Sequence, residues 1–120
     1  MTKVEIIEET AAFYNSGNRA ITVKGDCVYE TTDGKKCAVG RVLKEGFIPY
    51  RNNNYSIGML FEDNKNDEKL FLKEQYYGHN LEFWSSLQNF HDVESNWNEN
   101  GISIAGMIRK DNLINLYDKS

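Results

Sequence analysis

The stretch from Asn80 to Glu94 constrains the fold more than any other, because it admits one conformation and one orientation. Asn80 is placed as an N-cap, and Glu82 puts a carboxylate in the first turn, where the helix dipole favours it. At roughly 100° per residue, Phe83, Trp84, Leu87, Phe90 and Val93 share one broad face, while Ser85, Gln88, Asn89 and Asp92 occupy the other. The spacing predicts a core helix packed on the N-terminal helix. Burying Trp84, Leu87 and Phe90 is worth about 1.5–3 kcal/mol each.

With 120 residues the chain is one domain, long enough for a real core without disulfides or metal. At the N-terminus Thr2-Lys3-Val4-Glu5 has the form of a capping box, so a helix is expected from about Lys3 to Asn15. Its inner face would carry Val4, Ile7, Ala11 and Tyr14, and Gly17 is placed for a left-handed stop. Ile21-Thr22-Val23 reads as a strand or extended link. Ser56 is a plausible cap for a short helix from Ile57 to Glu62, after a polar turn at Arg51 to Asn54. Asp67 could cap a helix from Glu68 to Tyr76, although Leu70-Phe71-Leu72 fits strand as well. The chain closes with Trp97, a turn from Asn98 to Gly101, and a last helix capped by Ser103 that carries Ile104, Met107 and Ile108. The expected class is α+β and mostly helical: a single small domain, 1–120, of about four to five helices with one short β-hairpin.

That hairpin is expected around Thr32-Asp33-Gly34-Lys35, because an Asp-Gly pair between apolar segments favours a tight turn. With Asp33 and Gly34 central, Cys37 would face Glu30 and Cys27 would face Gly40, which disfavours a Cys27–Cys37 disulfide. A helix starting near Cys37 or Ala38 and running to Gly46 fits the same residues and is preferred beyond Cys37.

Asn18-Arg19-Ala20, Cys27-Val28-Tyr29, Gly34 to Leu43, Gly78-His79, Phe83-Trp84, Leu87-Gln88, Phe90-His91-Asp92, Trp97 and Gly101 carry a resemblance. The chain resembles, over nearly its whole length, a group of small uncharacterised proteins met mainly in bacteriophage and prophage genomes. The densest parts are Lys36-Cys37-Ala38-Val39-Gly40-Arg41 and Leu87-Gln88-Asn89-Phe90-His91-Asp92. The resemblance implies a source and a host cytoplasm, not a reaction, and carries over no catalytic residue.

Four chemistries remain to be weighed. A thiol hydrolase would use Cys37, its thiolate favoured by a helix start and by Lys35, Lys36 and Arg41, with His91 or His79 as base. On a helix His91 and Asp92 diverge by roughly 100°, so that pair is not expected to act as one dyad. Buried packing of Cys37 and His91 is the preferred reading. A zinc site is disfavoured, since Cys27 and Cys37 are ten residues apart and His79 and His91 twelve, with no close pair.

An anion site has suitable parts in Lys35, Lys36, Arg41, Arg19 and Gly40. From Lys35 to Arg51 the local charge is +4 in a chain of −4. A nucleotide or other anionic small ligand would fit there, whereas the overall charge argues against nucleic acid. No apolar run approaches the roughly 20 residues of a membrane span, and no leader precedes the first helix, so the cytoplasm is the expected location.

The reading ranked first is non-catalytic: a phage accessory protein that binds a host or viral protein, such as a host-takeover or anti-defence inhibitor. Tyr29, Tyr50, Tyr55, Tyr76 and Tyr77 would serve as interface aromatics. No cofactor is implied, and the sequence does not specify an oligomeric state.

Overall fold

The structure, a computed structural model, describes residues 1–20, 28–47 and 56–118. These form five α-helices, three 3-10 turns and one two-stranded antiparallel hairpin, an α+β domain that is mainly helical. The expected extended segment Ile21–Val23, the turn Arg51–Asn54, and Cys27, Tyr50 and Tyr55 lie outside the described residues.

Helix α1 (Lys3–Phe13) begins with the expected capping box: Glu5 N–H donates to Thr2 Oγ1, and Thr2 N–H donates to the Glu5 carboxylate. It buries Ile6, Ile7, Thr10 and Ala11, followed by Tyr14. Its stop differs from the expected one. The chain turns extended at Tyr14, and the Asn18 side-chain amide satisfies the Phe13 carbonyl at 2.8 Å, so Gly17 is not needed in a left-handed conformation and does not adopt one.

Residues 28–37 form a short hairpin turn with a register one residue away from the expected one. Gly34 N–H donates to the Thr31 carbonyl, and Gly34 takes φ +89°, so the loop holds three residues rather than two. Glu30 therefore pairs with Lys36, and Cys37 N–H donates to the Tyr29 carbonyl. Helix α2 (Ala38–Val42) follows with Cys37 as its N-cap, as preferred, but ends four residues early. The reason is tertiary. Lys44 N–H donates to Phe71 O and Lys73 N–H to Val42 O, which makes Leu43 and Leu72 an antiparallel bridge.

The same bridge explains why residues 68–76 are not the expected helix. They split into 3-10 turns at Glu68–Leu70 and Glu74–Tyr76, and Phe71 and Leu72 between them are both buried. The Lys73 N–H and the Phe71 carbonyl are spent on the Val42–Lys44 backbone, so they are not available to a helix through this segment. Before them, α3 (Ile57–Asp63) starts on the Ser56 cap as expected.

Helix α4 (Leu81–Asp92), capped by Asn80, is the centre of the molecule and packs against α1, α2, α3 and the last helix. Phe83, Trp84, Leu87 and Phe90 are buried as expected, His91 joins them, and Val93 stays exposed as the C-cap. After a 3-10 turn at Glu94–Asn96, strands β1 (Trp97–Asn98) and β2 (Gly101–Ile102) pair across the expected turn. Helix α5 (Ile104–Tyr117) starts on Ser103 and is anchored at Gly106, where an added Cβ would lie 2.2 Å from the Asn96 carbonyl oxygen. No described helix is long and apolar enough to cross a membrane.

Candidate functional site

Among the described residues, groups suited to chemistry or recognition gather at the junction where α1, α2 and α4 meet, beside the hairpin turn and α2, and on the outer face of α5. At the junction Cys37 is 1% exposed, and its sulfur accepts the Gly40 N–H at 3.2 Å. Burial pushes its thiol up to about 12, against the smaller opposing effect of the Gly40 and Val39 amides. This disfavours the thiolate that a hydrolase would need: loss of water outweighs the amides of a five-residue helix.

His91 is fully buried beside the Tyr14 ring, at 4.6 Å between centroids. Its Nδ1 lies 2.8 Å from Asp92 Oδ1, which corrects the expectation that these neighbours diverge too far to touch. At the last residues of α4 the Asp92 side chain folds back, held by a second bond from Gln88 Nε2 at 2.8 Å. Burial holds the His91 imidazole below its ordinary value, and the bond to Asp92 only partly offsets this. The ring is a neutral packing group whose Nε2 has no hydrogen-bond partner among the described residues.

His79 sits elsewhere, tilted against Phe83 with ring centroids 5.1 Å apart and with Nε2 2.9 Å from the Met1 carbonyl oxygen. Among the described residues no three His, Cys, Asp or Glu side chains are grouped to hold a metal ion.

The proposed basic residues do not converge on one surface. Arg19 is 6% exposed and caps the end of α4, donating to the carbonyls of His91 and Asp92 at 3.1 and 3.2 Å, where the dipole favours a cation. Arg41 pairs with Glu9 at 2.8 Å and lies over the Phe13 ring. Burial works against its charge, yet the Glu9 contact wins and holds its pKa above the usual value. Tyr76 completes this knot by donating to the same Glu9 oxygen at 2.5 Å. Lys35 and Lys36 are half-exposed and face Asp33 and Glu30 at 3.7 and 3.6 Å. Gly40 is buried for packing: an added Cβ would stand 2.1 Å from the Tyr29 carbonyl oxygen. Of the expected interface tyrosines, Tyr29 and Tyr76 are buried and Tyr77 is half-buried.

Gln88 and Tyr14, placed by sequence on faces of opposite character, both join the junction. Gln88 Oε1 accepts the Val39 N–H at 3.0 Å, which satisfies a free amide of α2. Tyr14 Oη donates to the Lys36 carbonyl at 2.7 Å. Neither role has a signal in local spacing.

The outer face of α5 is the opposite case. Leu113, Ile114 and Tyr117 pack on the core, whereas Ile104, Met107 and Ile108 are 79%, 49% and 59% exposed. Asp111 extends the Ile104–Ile108 stripe by one turn and is exposed. The cations of this helix are engaged, Arg109 with Ser95 and Asn96 and Lys110 with Glu8. A helix apolar on two sides is the signal that could have marked this face. Compared with protein-family models, curated proteins and solved structures, the chain matches none.

Proposed function

We propose that the chain is a non-catalytic binding protein, a phage-type accessory factor that holds a host or viral protein in an apolar groove closing over α5. The observation that carries this reading is the exposure of Ile104, Met107 and Ile108, at helical spacings of three and four, on a helix already anchored by its other side. The buried thiol and neutral imidazole of the junction favour it over a hydrolase.

The occupant follows from area and charge. Three such side chains offer on the order of 300 Å² of apolar surface. A stable flat interface buries about 800 Å² per partner, so α5 against a second copy of itself falls short. A concave groove takes in the flanks of the exposed stripe as well as its crest, and Asp111 in the stripe, on a chain of net charge −4, calls for a basic edge.

The test compares the wild-type chain with the Ile104→Glu/Ile108→Glu double variant in affinity capture, with stoichiometry read by native mass spectrometry. The expected result is one partner at equal stoichiometry, lost in the double variant while its melting temperature stays within about 2 °C. Equal capture by the variant, or a wild-type homodimer that the variant dissolves, would overturn the reading.

A further inference from the structure

A cavity of about 160 Å³ opens between the 30–36 turn, α2 and the turn at 44–47. The lining is mixed, and its apolar part is Tyr29 and Leu43, each 5% exposed, with Phe47 half-buried beside them. A cavity of about 150 Å³ admits one benzene ring. Drug-sized ligands begin near 300 Å³. A single ring therefore fits here, whereas a whole nucleotide does not.

The polar groups stand at the rim. Lys36 lines the cavity but is already faced by Glu30, which lines it too. Lys44 is exposed and, among the described residues, has no carboxylate within ion-pair distance. Two lysines against one carboxylate leave the mouth positive, so it repels a cation and attracts an anion. Gly46 lines the cavity as well and takes φ +80°, a conformation that side chains other than glycine rarely adopt.

We propose that this cavity binds a small planar aromatic anion, with its ring among Tyr29, Leu43 and Phe47 and its carboxylate at Lys44. The geometry narrows the basic stretch singled out in the sequence. Lys36 and Gly40 line the cavity, Lys35, Arg41 and Arg19 do not, and Lys44 supplies the cation that meets the ligand. The site is separate from α5, so it stands whether or not the partner proposal does.

The experiment is a titration of the full chain with benzoate, followed by amide chemical shifts, with benzyl alcohol as the neutral counterpart. Benzoate should shift the Gly40, Leu43 and Gly46 amides saturably, and benzyl alcohol should bind at least about tenfold more weakly. Lys44→Glu should abolish the preference for benzoate and leave the rest of the spectrum unchanged; Lys44→Gln, which removes only the charge, should reduce it. Three results would each overturn the proposal: no saturable shift by about 10 mM benzoate, equal binding of benzyl alcohol, or an undiminished preference for benzoate in Lys44→Glu.

Discussion

The junction around Cys37 and the outer face of α5 hold opposite kinds of residue in opposite surroundings. The junction gathers a thiol, an imidazole, two carboxylates, two phenols and two guanidinium groups, and the structure uses them to join elements. Gln88 ties α4 to α2, Arg19 closes the end of α4, and Tyr14 reaches the backbone of the hairpin. On α5 three large aliphatic side chains, the usual material of a core, stand in water. Reactive side chains therefore do not mark a reactive site by identity alone. Water access decides it, and a polar group that joins two elements has given up its access.

The comparison breaks most sharply at Gly40. Gly40→Ala drives a Cβ into the Tyr29 carbonyl, a backbone atom that cannot swing aside, so α2 must separate from the hairpin. The expected loss is at least about 3 kcal/mol, measured by urea unfolding. A stable Gly40→Ala protein would show that the junction is far looser than described.

On α4 the expected order of loss is Leu87→Ala, then Gln88→Ala. Leu87 is fully buried, and its truncation should cost about 2–5 kcal/mol. Gln88 lies on the face that periodicity marks as polar, where a substitution would ordinarily cost little. Its bonds to Val39 and Asp92 raise the expected cost to about 1–3 kcal/mol, because the Val39 amide loses its partner. A Gln88→Ala loss below about 0.5 kcal/mol would mean that water replaces the side chain there.

A smaller effect appears on titration. His91 is held below its ordinary value of 6.5, chiefly by burial, so the unfolded chain takes up its proton first as the pH falls. The stability of the neutral ring is fully present above about 6.5 and is lost below it, with a limiting slope of about 1.4 kcal/mol per pH unit for one proton. Burial lowers His79 in the same direction, so His91→Asn, which retains a bond to Asp92, should reduce the slope rather than remove it. On the alkaline side Cys37 is raised, and stability falls once the pH passes the ordinary thiol value of 9.0. Urea midpoints from pH 5 to 10 test both limbs. An unchanged acid limb in His91→Asn would assign it to other groups.

The smallest expected effect lies on α5, where Ile108→Ala should change stability by no more than about 0.5 kcal/mol while weakening partner capture. A loss comparable to that of Leu87→Ala would place Ile108 in a core contact and remove the contrast between the two regions.

Much of the fold could be read locally. The caps at Thr2, Ser56, Asn80 and Ser103, the start of α2 at Cys37 and the inward face of α4 all depend on side chains within four residues of the backbone they serve. The hairpin loop is one residue longer than its sequence predicts, because Gly34 can close a two- or a three-residue loop and only the pairing of Glu30 with Lys36 chooses between them. The segment 68–76 lost its helix to Leu43, some thirty residues earlier.

The sequence by itself determined the helix caps, the central apolar helix and the mainly helical class, since each follows from spacing along the chain and from the chemistry of adjacent residues. Only the tertiary structure decided which polar residues lie inside and which apolar ones remain outside. Arg19 and His91 are buried, and Arg41 and Gln88 partly buried, because each satisfies, or is satisfied by, a group supplied by the fold. Ile104 and Ile108 are exposed because α5 has a second apolar side, and one helix can turn only one side to the core. Periodicity measures whether a face is apolar; how many faces a neighbouring element can cover is set by packing.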